Sequence, residues 1–339
     1  MKTSNILRRA LTGALCSLFI GSAAVAAPAF TMKLSTTTTN DSIVEWFNTL
    51  KAGIETRAGD RIKVEIYPSG QLGSAQRTAE GVAMGTVEVA MNAAGFFESL
   101  EPRFGVFSAT GIFDSLEHGN KVLADPQVRE VLTGYGKGKG YEVLSTFVHG
   151  PVTAVTRQPY QKSQDLHAKK IRVPGSPLYL AMFRSLGAAP VSMTLGEVLP
   201  AMQNGTIDGA IGGNTIFTSL KFYDATKSMT YLPSTYIAAV GIINSKFLES
   251  LGPELRAIVL EEVEKANQHI YKWTADDAAK GRSVWEQNGG NSYVLDAQEA
   301  EKFVSISAGA AQEVFAKHPQ QAQDYEVFKA VAQKYRSQQ

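Results

Sequence analysis

The sequence predicts an α/β protein built as two similar lobes around a cleft. Three observations carry that expectation. The segment Met84-Gly85-Thr86-Val87-Glu88-Val89-Ala90-Met91-Asn92 returns about 120 residues later as Asn204-Gly205-Thr206-Ile207-Asp208-Gly209-Ala210-Ile211-Gly212-Gly213-Asn214. In both copies an amphipathic helix stops at Gly, a Thr follows, and a short apolar strand runs into small or polar residues. Strand and helix periodicities also alternate along the chain, the order expected of mainly parallel central sheets covered by helices. Finally, 339 residues suit two domains. The loops after the two repeated strands should face the cleft, so function is sought there.

Taken in order, Thr31 to Thr37 reads as a strand entering a Thr-rich loop. Asp41 or Ser42 then caps a helix with Ile43, Trp46, Phe47, Leu50 and Ile54 on one face, and Gly59 is placed to end it. Arg61 to Tyr67 alternates as a half-buried strand. The turn Pro68-Ser69-Gly70 leads to the helix before Gly85. A second lobe is expected to begin near Gly150-Pro151, with strands at Val152 to Thr156 and Lys170 to Val173 and helices at Pro177 to Leu186 and Leu195 to Gln203. Ile237 to Ile243 reads as an apolar strand returning to the first lobe. Pro253 favours a first helical turn, and the pattern Leu255, Ile258, Val259, Val263, Ala266, Ile270, Trp273 runs on toward Gly289, long enough to cross both lobes. The expected division is 27–150 plus about 238–277 for lobe one, and 151–237 plus about 278–339 for lobe two.

The first 26 residues read as a signal peptide. Lys2, Arg8 and Arg9 form a basic start, Ala10 to Ile20 a short apolar run, and Ala24-Val25-Ala26 a small-x-small cleavage site. That run is too short to span a membrane. Leu15 stands before Cys16, where a lipoprotein would need a small residue. Cleavage after residue 26 would leave 313 of the 339 residues, remove three positive charges and no acidic ones, and move the net charge from +1 to −2. A near-neutral chain argues against nucleic acid or anionic membrane as partner. The only Cys goes with the leader, so stability must come from a large core, which 44% hydrophobic residues can supply.

Catalytic patterns are scarce. The five His residues (118, 149, 167, 269, 318) have no metal-ligand spacing, and there is no Gly-x-Ser-x-Gly elbow or P-loop. The Gly-rich run Gly134 to Gly140 follows a helical stretch and precedes a strand, the reverse of the order that holds phosphate, and reads as a turn. No metal and no cofactor is expected. The sharper signal is Lys170-Ile171-Arg172-Val173-Pro174-Gly175-Ser176, where a strand carries Arg172 into a Pro-Gly turn that opens a helix. An arginine at the carboxyl end of a strand can grip a carboxylate with two parallel hydrogen bonds, although an exposed or salt-bridged Arg is the commoner arrangement.

That segment, followed by Leu186-Gly187-Ala188-Ala189-Pro190-Val191-Ser192-Met193, Glu197-Val198 and Gln203-Asn204-Gly205-Thr206-Ile207-Asp208-Gly209, resembles the substrate-binding protein of a tripartite ATP-independent periplasmic (TRAP) transporter, of the DctP type. In the first half, Gly59-Asp60-Arg61-Ile62-Lys63-Val64-Glu65-Ile66-Tyr67-Pro68, Gln71-Leu72-Gly73 and Gly85-Thr86-Val87-Glu88 match the family's opening pattern. The resemblance implies a two-lobed periplasmic binding protein with a long helix spanning both lobes and a carboxylate held by Arg172. It further implies partner membrane subunits, a cation-driven cycle and hinge closure on ligand. The protein is expected to be a monomer in the periplasm and no enzyme. Two rivals stand beside it: a sensory receptor subunit of the same fold, and an exported enzyme, for which the site offers only His149.

Departures from the family pattern bear on the ligand. The family's ligand-facing Asn falls on Gly212, with Asn214 nearby; a second pocket arginine falls on Val152; an arginine of sialic-acid-binding members falls on Phe96; and an aromatic falls on Leu195. Buried hydroxyls or a second charge on a ligand would lack partners in such a pocket. The expected ligand is therefore a monocarboxylate with an apolar or aromatic body. Phe96, Phe97, Leu195 and Val152 would line it, with Thr37, Asn92, His149, Ser176 and Tyr236 as hydrogen-bond partners. For each a bland alternative stands: core for Phe96, Phe97 and Tyr236, turn capping for Thr37, and structural hydrogen bonds for Asn92 and His149. Trp46 reads as core.

Overall fold

The computed structural model describes residues 29–337, so the expected leader and Cys16 lie outside the described residues. Strand β1 (Phe30–Ser35) buries Met32 and Leu34 and passes through the Thr-rich loop into α1 (Ser42–Ala58). Asp41 caps α1, its Oδ1 accepting from the amides of Ile43 and Val44 at 3.1 and 3.3 Å. All five expected apolar residues of α1 are buried, and Gly59 ends it at φ +58°, a conformation that favours glycine. The chain returns as β2 (Ile62–Tyr67), parallel to β1. Helix α2 (Ala75–Met84) then stops at the left-handed Gly85 and leads to β3 (Val89–Ala93), on the other side of β1.

After two turns of 3-10 helix and the short helices α3 (Leu116–Ala124) and α4 (Pro126–Thr133) comes β4 (Tyr141–Thr156). The second βαβ layer follows: β5 (Lys170–Val173), α5 (Pro177–Ser185), β6 (Ala189–Ser192), α6 (Leu195–Gln203) and β7 (Gly209–Gly213). Here α6 begins with a capping box, the Thr194 amide donating to Glu197 Oε2 at 3.0 Å. The chain continues through α7 (Asn214–Ser219), β8 (Ser228–Asn244), α8 (Ser245–Ser250), α9 (Gly252–Gln287), β9 (Asn291–Val294), α10 (Ala297–Phe315) and α11 (Pro319–Arg336).

One sheet unites the two halves, in the order β2-β1-β3-β8-β4-β7-β5-β6, with β9 on β8. Its outer groups, β2-β1-β3 and β7-β5-β6, are parallel, as expected. The two short strands read at 152–156 and 237–243 prove to be parts of β4 and β8, which run antiparallel to one another through both halves. Gly150-Pro151 looked like a boundary, yet it lies within β4, where register shifts between Val148 and Gly150 and between Pro151 and Thr153 absorb it. A bulge tolerates a residue that cannot donate to the ladder.

Helix α9 is uninterrupted for 36 residues, about 54 Å, with Pro253 in its first turn. It packs on α1 at one end of the molecule and on α7 and β9 at the other, so it does span both lobes. The tail divides: α10 packs on α5, whereas α11 lies on α3 and α4. A bidentate pair anchors α11, Arg103 Nε and Nη2 donating to Asp324 Oδ2 and Oδ1 at 2.6 and 2.8 Å.

Candidate functional site

The carboxyl ends of β3, β5 and β7 and the loop after β1 converge where β4 and β8 cross between the halves. A recess opens there. Strand β5 lies between β6 and β7, which buries Ile171 and Val173 and draws Arg172 in with them, leaving it 2% exposed. The guanidinium donates from Nε to the Met193 carbonyl and from Nη1 to the Ile211 carbonyl, both at 3.1 Å. Its Nη2 is buried without a partner, and Arg172 forms no ion pair among the described residues. Burial lowers its pKa to about 10, so the group still carries its charge at neutral pH. A buried, unpaired cation with one free N–H face is a binding group for an anion.

Facing it are Thr37 and Asn92. Asn92 Oδ1 accepts from the Thr37 amide at 3.1 Å and from Thr37 Oγ1 at 2.8 Å, leaving Asn92 Nδ2 buried and unpartnered. A free amide donor thus stands in the recess as well. His149 also lines it, with Nδ1 2.6 Å from Ser42 Oγ and Nε2 3.7 Å from Asp41 Oδ2. Burial lowers the imidazole pKa more than Asp41 raises it, so the ring is neutral at neutral pH. Among the described residues, Arg172 is then the only cation on the recess wall. Apart from Thr38, whose hydroxyl donates to Asp41 Oδ1 at 2.9 Å, the rest is apolar: Ile43, Phe96, Pro174, Leu195, Ile216 and Ile237, with the backbone of Gly212.

Seven of the eleven residues singled out from the sequence meet in this recess: Arg172, Phe96, Asn92, Thr37, His149, Leu195 and Gly212. Val152 lies beside it, in an adjoining chamber that shares Gly212. The other three have structural partners instead. Ser176 caps α5 and donates to Ser108 Oγ at 3.2 Å. Asn214 Nδ2 donates to the Ala278 carbonyl at 2.8 Å, tying α7 to α9. Tyr236 donates its hydroxyl proton to the Asp114 carbonyl at 2.9 Å. Phe97 and Trp46 are fully buried core, Trp46 also donating to Asn267 Oδ1 at 2.8 Å. Sequence reasoning missed Ile43, Ile216 and Ile237. Ile43 sat on the predicted core face of α1 and Ile237 in a predicted strand, so nothing local marked either as pocket.

The position where the family resemblance puts a polar side chain is closed differently. A Cβ at Gly212 would stand 3.0 Å from Phe217 Cζ, and Phe217 is fully buried. Backbone and aromatic ring occupy the space of a longer side chain.

The family model for DctP, bacterial extracellular solute-binding protein family 7, matches residues 34–318. The chain belongs to this family. The resemblance to TRAP solute-binding proteins is thereby borne out. Among individual relatives, an uncharacterized protein, YiiZ, of Salmonella typhimurium is 30% identical over 61% of this chain, and the match spans 63% of that relative's length. The 2,3-diketo-L-gulonate-binding periplasmic protein YiaO of Escherichia coli is 27% identical over 83% of this chain and 84% of its own. The same fold is found in the crystal structure of the sugar acid binding protein DctPAm of Advenella mimigardefordensis in complex with galactonate, at a TM-score of 0.85 and 19% identity, covering 91% of this chain and 99% of that one. Among the described residues of this DctP family member, no helix is long and apolar enough to cross a membrane, and no group of three or more His, Cys, Asp or Glu could hold a metal ion.

Proposed function

We propose that this DctP family protein is a periplasmic solute-binding protein that captures a small organic acid between its lobes and delivers it to the membrane subunits of a TRAP transporter. The observation that carries this reading is the Arg172 guanidinium: buried, without a counter-ion among the described residues, anchored by two backbone carbonyls and left with one free donor face. A ligand carboxylate would complete it. Asn92 Nδ2 would supply a second donor. With a single cation on the wall, one carboxylate is matched and a second is not. The apolar remainder of the recess suits an apolar or aromatic body better than a fully hydroxylated one. YiaO and DctPAm are named for sugar acids, which carry one carboxylate too; in this chain Gly212 and Phe217 offer no polar side chain for hydroxyls. The protein binds and releases its ligand unchanged and acts as a monomer. The lobe division expected from the sequence is carried forward, except that the contacts of α11 with α3 and α4 attach it to the first lobe.

A thermal-shift screen of monocarboxylates, dicarboxylates and sugar acids, followed by calorimetry on the best ligand, tests this. Arg172→Ala should abolish binding. If dicarboxylates shift the melting temperature most, the one-cation argument is wrong; if binding persists in Arg172→Ala, the site is wrong.

A further inference from the structure

Beside the recess lies a second, smaller chamber. The two spaces share Ala93, Pro174, Gly212 and Ile237, so they adjoin along one seam. Most of the chamber wall is apolar, but Ser108 and Tyr179 bring hydroxyls to it. Gly95 lines it too, and behind Gly95 stand polar groups that the reading so far leaves unused. A Cβ at Gly95 would lie 3.5 Å from Glu98 Oε1 and 3.6 Å from Ser108 Oγ. Glu98 is 8% exposed, its Oε1 has no hydrogen-bond partner, and it forms no ion pair among the described residues. The hydroxyl of Ser176 donates to Ser108 Oγ at 3.2 Å, and both hydroxyls lie within hydrogen-bonding reach of the Glu98 carboxyl, which thereby fixes the orientation of Ser108. An apolar chamber with one polar end, backed by a buried carboxyl, is the shape of a site for the far end of an elongated molecule.

We infer that this chamber is a second subsite, which admits the distal end of the bound acid and recognises one uncharged hydroxyl or keto oxygen there through Ser108, with Glu98 as a positioning residue. This rests on the carboxylate reading of Arg172 and deepens it. The ligand class becomes an elongated monocarboxylate with an apolar middle and a neutral polar tip. A dicarboxylate is disfavoured because its second anion would enter a largely apolar chamber that no cation lines among the described residues. Burial holds the Glu98 carboxyl protonated to about pH 8, so it stays uncharged and able to donate at neutral pH.

Calorimetry with propionate, hexanoate, 6-hydroxyhexanoate and adipate, on wild type and three variants, tests the subsite. In wild type 6-hydroxyhexanoate should bind about tenfold tighter than hexanoate, the worth of one good hydrogen bond, and adipate should bind weakest of the long acids. Ser108→Ala should remove the advantage of the hydroxyl, weakening 6-hydroxyhexanoate far more than hexanoate. Val152→Phe puts a ring into the chamber and should weaken hexanoate and 6-hydroxyhexanoate far more than propionate. Glu98→Gln should abolish the fall in the hydroxyl's advantage that wild type shows as the pH is raised past 8, a change a merely structural role would not make. Equal binding of hexanoate and 6-hydroxyhexanoate in wild type and Ser108→Ala, with Val152→Phe unaffected, overturns the subsite. Long acids that survive Arg172→Ala but are lost in Val152→Phe would instead overturn the carboxylate reading and keep the chamber.

Discussion

Replacing Arg172 with Met keeps much of its bulk and removes its charge. In the bound protein the guanidinium would hold a carboxylate in a site from which water is excluded. Removing one partner of such a buried pair costs about 3–5 kcal/mol, because the other charge is left without compensation. That corresponds to a loss of affinity of roughly a hundred- to a few-thousand-fold. The free protein should respond quite differently. Burial lowers the Arg172 pKa to about 10, well below its ordinary value, so the unliganded fold carries this cation at a cost on the order of 3 kcal/mol. Against that, the carbonyls of Met193 and Ile211 lose their donors, at about 1–3 kcal/mol each. The two effects nearly cancel, and the melting temperature of the free variant should stay within a few degrees of wild type. A ligand at a hundred times its Kd should raise the wild-type melting temperature by about 5–10 °C and the variant's not at all. Differential scanning calorimetry with and without ligand reads both quantities. The reasoning is refuted if Arg172→Met binds within about threefold of wild type, or if the free variant is unfolded while ligand contacts elsewhere prove sufficient.

Gly212→Asn should destabilise the protein by about 1–3 kcal/mol, as read from melting curves, since its Cβ would stand 3.0 Å from the buried Phe217 ring. The Glu98 carboxyl, raised to about pH 8 by burial, binds its proton more tightly folded than unfolded, so stability is greatest below its ordinary pKa of 4.5 and is lost as pH rises toward 8. The slope is on the order of 1.4 kcal/mol per pH unit across that window, and Glu98→Gln should flatten it in melting curves taken from pH 5 to 8. His149 has the opposite sign: its lowered pKa favours the neutral ring, so stability is lost as pH falls below 6.5, and replacing it with Gln should reduce that acid sensitivity. Arg103→Met should strip α11 of its bidentate anchor to Asp324 and speed hydrogen exchange in residues 319–336 before the rest of the chain, with an unchanged pattern counting against the docking described.

Much of the scaffold was legible because its signals are local. Asp41 and Gly59 bound α1, Gly85 ends α2, and Pro253 opens α9 by chemistry confined to one or two turns. The Gly-Thr-apolar repeat correctly announced two βαβ halves, because both copies end a helix at a left-handed glycine, Gly85 and Gly205, before a sheet strand. The long strands β4 and β8 were read only in part. Gly150, Pro151, Pro233 and Ser234 look like breaks, and only the partner strand shows that the ladder continues past them. Ser176 and Asn214 had the right chemistry for a ligand but spend it on Ser108 and on the Ala278 carbonyl, partners 68 and 64 residues away.

By itself, then, the sequence determined the two α/β halves, the helix that spans them and the arginine at the end of a strand, since periodicity, caps and strand ends are set by neighbours a few residues apart. Tertiary structure alone decided that Arg172 is buried with no acid among the described residues to answer it, that Gly212 meets Phe217, and that Gly95, Ser108 and Glu98 gather at one chamber. Those facts depend on which distant side chains reach a given point in space, and no local pattern encodes a distance between strands that meet only in the folded sheet.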